Sequence, residues 1–371
     1  MTTPVWDDAP WPGFAALDAD ATADACVVGL GGSGLAAMDE LLEQGLTVVG
    51  LDASTVGGGA AGRNGGLLLA GGAPFHHDAV RMWGEAAAIA AHHGTLEELD
   101  RMIRDAPDLV RRCGSRRIAT SSAERADCDA QYLCMVEHGL AVVRYEGADG
   151  TGLRFEDDAA FHPLAYCRRA AGRLAMRGAV LHEHSPVTHI EPGMVATATG
   201  AVRARHVVVA VDGLLLQLFP SLAGRLRPVR LQMLGTEPTD EVTVSCPVYA
   251  NYGFDYWQQG GDGRVLVGGG RDQFMDEAET DLEAISDAVQ EHLDRLLRDV
   301  IGVRHATVTH RWSGIVGYTP DERPIIAEPM SGVWAIGGYS GTGNLVGRRI
   351  ARGIVRRFVR GSTTLLDGFT R

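Results

Sequence analysis

Ala25–Leu30 is an apolar run that leads directly into Gly31-Gly32-Ser33-Gly34. Apolar positions then recur at helical spacing from Leu35 to Gln44, Gly45 ends them, and a second apolar run, Thr47–Leu51, stops at Asp52. This pattern predicts a strand–helix–strand unit of about thirty residues. Residues 1–22, with three prolines, read as an irregular arm. A glycine-rich, non-periodic stretch covers 57–72, and 79–137 is mostly helical in pattern, with alanine-rich and charged turns. Strands are predicted at Val142–Tyr145 and Val180–His184, with a helix near Pro163–Arg177 between them. Val207–Val211, rich in β-branched residues and ending at Asp212-Gly213, reads as a buried strand.

From Val229 to about His310 the period changes to two. Val229–Thr236, Val248–Trp257 and Arg264–Gly268 predict an antiparallel sheet, followed by a helix near Asp281–Arg298. The C-terminal part returns to a strand (Val333–Ile336), a glycine-rich turn, and a helix from about Gly343 to Arg360. The expected fold class is therefore α/β: a Rossmann-type nucleotide-binding domain interrupted and later resumed, and a second domain on a mixed, largely antiparallel sheet. The boundaries this implies are 22–80, 150–228 and 310–371 for the first, and 81–149 and 229–309 for the second.

Composition narrows the function. The 371 residues include 48 glycines, against about 26 at the usual ~7%, and they cluster without a collagen-like period. Such runs serve tight turns and close approach of backbone to a ligand. A net charge of −13 argues against a nucleic-acid binder. Six cysteines with no CxxC pair fit reduced thiols, hence a cytoplasmic protein. The N-terminal residues lack the basic-then-apolar order of a signal peptide, and no run of 18 apolar residues predicts a membrane span.

Gly29-Leu30-Gly31-Gly32-Ser33-Gly34 matches GxGxxG where that string has meaning: after a strand, opening a helix, with Asp52 eighteen positions beyond the last glycine. Gly29 permits the tight turn, Gly31 admits a pyrophosphate, Gly34 lets helix and strand pack, and Asp52 can accept from ribose hydroxyls. The helix N-terminus offers amides and partial positive charge to phosphate. Gly57–Gly62 fits the same string without a strand-to-helix setting. One credible fingerprint disfavours a flavoprotein reduced by a nicotinamide and leaves NAD or FAD. A second glycine-rich strand–turn–helix, Trp334–Asn344, favours FAD, because a helix starting there can aim its amides at the flavin's N1–C2=O edge.

Taken in order, these motifs resemble the flavin-dependent D-amino acid oxidase superfamily, which includes glycine, sarcosine and γ-glutamylputrescine oxidases. The resemblance rests on the fingerprint with Asp52, Gly62-Arg63-Asn64-Gly65-Gly66, His162-Pro163-Leu164, Arg205–Ala210, Trp312-Ser313-Gly314 with Thr319-Pro320-Asp321 and Pro324-Ile325-Ile326, and Gly338-Tyr339-Ser340-Gly341-Thr342-Gly343. It implies an FAD enzyme in which hydride passes from the carbon bearing a neutral amine to flavin N5, the imine hydrolysing afterwards. It further implies that Gly29, Gly31, Gly32, Ser33, Gly34 and Asp52 hold the ADP half. Arg63, Asn64, Gly65, Gly66, Val187, Gly338, Gly341, Thr342, Gly343 and Asn344 complete the cofactor contacts.

Two departures bear on substrate. Amino-acid-oxidising relatives carry an arginine shortly after Trp-x-Gly that grips the carboxylate; here Val316 stands in its place, and Thr342 stands where many relatives have histidine. A buried carboxylate without a bidentate partner is costly, so the expected substrate is a small primary or secondary amine. D-amino acid, glycine or sarcosine oxidation is the alternative, and a non-catalytic flavin-binding subunit or an NAD dehydrogenase are lesser ones. Tyr252, Tyr256 and Arg271 are the expected substrate contacts, with Tyr252, Phe254 and Tyr256 on one strand face. His76-His77 reads as surface or turn histidines, and His182-Glu183-His184 lacks the further ligands of a metal site. The arginines between Arg348 and Arg360 are expected to complement the helix dipole and an acidic surface.

Overall fold

The computed structural model describes residues 3–370. The chain divides into two compact units. One, the end unit, comprises 8–62, 163–229 and 316–370; the other, the sheet unit, comprises 3–7, 63–162 and 230–315. Residues 63–80 and 150–162 group with the sheet unit, because 67–68 and 159–161 pair with each other and 150–155 pairs with 115–118.

In the end unit, five strands run parallel in the order Val333–Gly337, Ala201–Val209, Ala21–Val28, Val48–Leu51, Val180–His182. Val27 pairs with Val208 on one side and Gly50 on the other. The middle strands are continuous apolar runs because both faces are covered: Ala25, Cys26, Val27, Val207, Val208 and Val209 are fully buried. The Gly32–Glu43 helix crosses between Ala21–Val28 and Val48–Leu51, and its C-terminus is closed where expected. Gly45 takes φ +78, and the amide of Leu46 returns to Leu41.

The Val346–Arg360 helix lies against the Gly32–Glu43 helix, and here the arginines do more than meet a dipole. Arg352 binds Asp39 at 2.8 Å, and Arg356 binds the fully buried Glu40 at 2.8 Å. A basic face that looked solvent-directed is internal, since its complement is an acidic pair on the opposing helix.

In the sheet unit, Arg227–Pro238, Arg264–Gly268, Asp255–Gln259 and Val248–Ala250 are antiparallel neighbours. Val248–Ala250 then runs parallel to Ser115–Ile118, so the sheet is mixed, as expected. The alternation over Val248–Trp257 proves to be a hairpin: 251–253 forms a short turn with Asn251 and Tyr252 at positive φ. Ser115–Ile118 and Val110–Arg112 are strands inside a segment whose pattern is mostly helical. Their short, arginine-rich sequences leave no period to detect. The predicted helix at 281–298 is Asp287–Arg295, continued by a wider turn through Ile301.

A buried acid sits in the three-stranded sheet of this unit. Asp158 accepts from the Ala70 amide at 2.9 Å and the Ser115 hydroxyl at 2.6 Å, and burial pushes its carboxyl up to about 7. An unfolded Asp loses its proton near 3.9, so between about pH 4 and pH 7 the folded chain binds the extra proton. This group's contribution to stability is therefore present at low pH and lost as pH rises to 7. Asp158→Asn keeps the Ala70 bond at its oxygen, lets its NH2 donate to the Ser115 hydroxyl oxygen in place of the bond the carboxylate accepted, and removes the titration. Relative to wild type, its stability in urea should rise by about 1.4 kcal/mol per pH unit across that window; an unchanged difference between pH 5 and pH 7 refutes the assignment.

Candidate functional site

Because the five strands of the end unit are parallel, their carboxyl ends share one edge, where ligands bind in open α/β sheets. The Gly29–Gly34 turn leaves the strand Ala21–Val28 there, and the Gly338–Asn344 turn leaves Val333–Gly337 there. Only the strand Ala201–Val209 separates them, a lateral distance of about 10 Å at ordinary strand spacing. One dinucleotide can reach both turns.

The fingerprint glycines have separate physical reasons. Gly29 has φ +98, and a Cβ there would lie 2.7 Å from the Ala210 carbonyl oxygen. A Cβ on Gly34 would lie 1.8 Å from the Gly29 carbonyl oxygen. Among the described residues, a Cβ on Gly31 would meet the Ala61 Cβ at 3.2 Å. Gly31 caps a helix with no side-chain cap and no acidic residue in its first turn. Asp52 is tied into this turn: it accepts from the Leu30 amide at 2.7 Å and the Ser54 amide at 2.8 Å. Burial raises its pKa, against the pull of those two amides. Val187, partly buried, packs on the apolar core of the same unit.

The second turn is held by a residue that the sequence marks only as following a strand. Asp212, at φ +45, accepts from the amides of Gly317 at 3.0 Å, Gly338 at 2.8 Å and Tyr339 at 3.3 Å. Burial lifts its carboxyl to about 6 despite those donors. Gly338, Ser340 and Gly341 all take positive φ, and the Thr342 hydroxyl donates to the Tyr339 carbonyl at 2.8 Å. The helix proper begins at Val346, slightly later than expected, so Gly343 and Asn344 belong to the turn.

Arg348, expected to meet the helix dipole or an acidic surface, is instead buried. It is 4% exposed and stacks 4.5 Å over the Tyr166 ring, and a Cβ on Gly32 would lie 3.3 Å from its Nη2. Its Nε has no hydrogen-bond partner, and among the described residues it makes no ion pair. A buried cation beside the positive end of a helix calls for an anion. Glu183, in contrast, is structural: it accepts from Trp11 Nε1 at 2.9 Å and from the amides of Phe14 and Val56, anchoring the N-terminal arm.

In the sheet unit, Arg63, Asn64, Gly65 and Gly66 form a tightly restrained loop. Trp312 Nε1 donates to the Arg63 carbonyl at 2.7 Å and Trp6 Nε1 to the Asn64 carbonyl at 2.7 Å. Gln258 Nε2 donates to the Gly65 carbonyl, and Arg63 Nε to the Ser313 carbonyl at 2.6 Å. The Tyr256 ring lies beside the loop, 3.1 Å from where a Cβ on Gly65 would stand.

Tyr252 is elsewhere. The turn at 251–253 breaks the strand, so the expected shared face of Tyr252, Phe254 and Tyr256 does not exist. Tyr252 is 41% exposed, donates its amide to Glu124 at 2.6 Å, and sits 5.8 Å from the Arg117 guanidinium. Arg271 stacks 4.8 Å over Phe254 and lines a small cavity with Arg230, Phe274 and Glu277. His76 is buried rather than at the surface, with its Nε2 2.8 Å from His138 Nδ1. Burial, then the neighbouring imidazoles, push it down to about 4.

A model of the family described as FAD dependent oxidoreductase matches residues 24–357. The chain belongs to the DAO family of FAD dependent oxidoreductases. It is 29% identical over 394 residues to "Gamma-glutamylputrescine oxidoreductase" of Escherichia coli K12, covering 96% of this chain and 88% of that one. It is 25% identical to "Probable oxidoreductase OrdL" of Rhizobium meliloti, covering 96% and 87%. Among solved structures, the fold matches glycine oxidase from Geobacillus kaustophilus with a TM-score of 0.78 at 18% identity, covering 92% of this chain and 95% of that one. L-proline dehydrogenase from P. horikoshii matches at 0.77 and 16%, covering 94% and 96%.

FAD is thus the cofactor of this oxidoreductase, and the residues present fit it. The helix starting at Gly31 with no side-chain cap and no acid in its first turn, and the buried Arg348, which makes no ion pair among the described residues, together suit a pyrophosphate. Among the described residues no helix is long and apolar enough to cross a membrane.

Proposed function

We propose that this oxidoreductase converts the C–N bond of a small primary or secondary amine to an imine, which then hydrolyses. The observation that carries the reading is the two glycine turns at one edge of one parallel sheet. FAD, when bound, supplies the hydride acceptor. Gly31, Gly32, Ser33 and the first turn of the helix bind its pyrophosphate with Arg348 nearby, and Gly29, Gly34 and Asp52 shape the turn that presents them. Gly338, Gly341, Thr342, Gly343 and Asn344, held by Asp212, form the second contact, and Val187 is assigned a further cofactor contact. The Arg63–Gly66 loop is assigned to the flavin ring, and its restraint by Trp6, Trp312 and Gln258 keeps that contact preorganised. The end unit is then the FAD-binding domain and the sheet unit the substrate domain.

Tyr256 is the substrate contact best supported, since its ring borders Gly65. An aromatic face there holds an amine and excludes water. Arg271, in the cavity with Arg230, and Tyr252, beside Glu124, are proposed as more distant substrate contacts. An amine is favoured because Val316 occupies the place where the family resemblance calls for a carboxylate-binding arginine, and the Escherichia coli relative carries an amine in its name. The six cysteines are all free, which supports a reducing cytoplasm.

Oxidation of amino acids is the second reading. It is favoured by the glycine oxidase and proline dehydrogenase neighbours and by Arg230 and Arg271 lining one cavity. Anaerobic addition of amines and amino acids to the yellow protein separates the two. Amines should bleach the flavin absorbance at least about tenfold faster than amino acids of similar size, a difference of about 1.4 kcal/mol in transition-state binding. Bleaching by glycine, sarcosine or D-amino acids alone supports the second reading, and no bleaching by any compound supports a non-catalytic flavin-binding subunit.

A further inference from the structure

We propose that His76, Cys134 and His138 of the sheet unit form a zinc site. Cys134 lies in the last turn of the Ser122–Glu137 helix and His138 caps that helix, so the two are four residues apart on one face. His76 opens the His76–Trp83 helix and meets them from the opposite side. His76 Nε2 is 2.8 Å from His138 Nδ1, Cys134 Sγ is 4.0 Å from the same nitrogen, and the three ligand atoms all lie within 4.8 Å of one another.

Those distances are close to what a tetrahedral ion demands. Zinc–nitrogen bonds of about 2.05 Å and zinc–sulfur bonds of about 2.3 Å place two nitrogens about 3.3 Å apart, and nitrogen and sulfur about 3.6 Å apart. The imidazoles must open by about 0.5 Å and the thiol must close by about 0.4 Å, movements within side-chain rotation. Two imidazoles with one thiolate suit borderline-soft zinc rather than magnesium or calcium. Binding displaces the thiol proton to solvent and leaves the fourth position to water.

An outer partner is also in place. With Nδ1 of His138 on the metal, its Nε2 is 3.9 Å from the Glu85 carboxylate, which can turn in to accept the remaining N–H. Carboxylates in this position orient metal-bound histidines. A neighbouring group, His77, Asp78 and Asp127, lacks this freedom. Asp127 holds the fully buried Arg117 at 2.5 Å, and Asp78 holds Arg81 at 2.8 Å. The zinc would clamp the start of one helix to the end of another.

The test uses the full-length, FAD-loaded protein, stripped with chelator, supplied with zinc chloride and dialysed. Elemental analysis should find one zinc per chain. Competition against a chromophoric chelator should show affinity falling at least a hundredfold in Cys134→Ser and in His138→Gln, and about tenfold in Glu85→Gln. His77→Gln should leave it unchanged. With cobalt(II), the wild-type difference spectrum should carry a thiolate charge-transfer band that Cys134→Ser lacks. Flavin content and circular dichroism confirm that each variant is folded. Wild-type protein that retains no zinc, or gives no cobalt–thiolate band, overturns the proposal without any variant. Equal zinc retention by Cys134→Ser and His138→Gln overturns it as well.

Discussion

A Gly34→Ala protein will purify colourless or will not accumulate in soluble form. The new methyl would stand 1.8 Å from the Gly29 carbonyl oxygen, an overlap that only backbone movement relieves. Moving that backbone either lifts the helix off the strand or distorts the turn whose amides face the pyrophosphate. Overpacking of this kind costs about 1–3 kcal/mol, and more where main chain must shift. Retained FAD, read from the ratio of flavin to protein absorbance, should therefore fall at least about tenfold. The matched control is Gly59→Ala, where a Cβ meets nothing within 4 Å; that variant should be as yellow as wild type. A Gly34→Ala protein with one FAD per chain would remove the fingerprint from the cofactor site.

Asp212→Ala is expected to lower Tm by the order of 10 °C and to shed flavin on dialysis. Three buried amides, those of Gly317, Gly338 and Tyr339, lose their acceptor at once. Each orphaned donor costs about 1–3 kcal/mol, and a degree of Tm corresponds to a few tenths of a kcal/mol in a domain of this size. Asp212→Asn should fall between the two, because one oxygen still accepts from Gly338 and Tyr339 while an NH2 group now faces the Gly317 amide. Thermal melts of the three proteins, followed by both flavin fluorescence and circular dichroism, check the order. Equal melting temperatures would mean that the turn holds its shape without the carboxylate.

The second GxGxxG string is instructive beside the first. Gly57–Gly62 also makes a turn into a helix, and a Cβ on Gly62 would lie 2.3 Å from the Gly57 carbonyl oxygen. The local packing rule is the same. Its helix, Ala60–Arg63, is a single turn, and the parallel strand before it, Val48–Leu51, is separated from it by residues 52–59. A string of glycines therefore specifies how closely backbone can fold on itself, while a nucleotide site needs the flanking strand and a full helix as well.

Hydrophobic period and glycine placement were enough to read the parallel sheet's strands, the fingerprint helix and its stop at Gly45, because each of these is set by residues within about thirty positions of one another. The partners of the site are set over much longer spans. Asp212 reaches Gly338 across 126 positions, and Arg352 reaches Asp39 across 313. Nothing in a linear pattern marks such pairs, since they depend on which strands become neighbours and on which polar groups lose water together. The same holds for Tyr252 and Tyr256: alternation placed them on one face, but two residues at positive φ turned one apparent strand into a hairpin. Local sequence thus determined which elements form and what cofactor they suit. Folding alone decided which charges are buried against which, because desolvation is a property of the assembled neighbourhood and not of any segment within it.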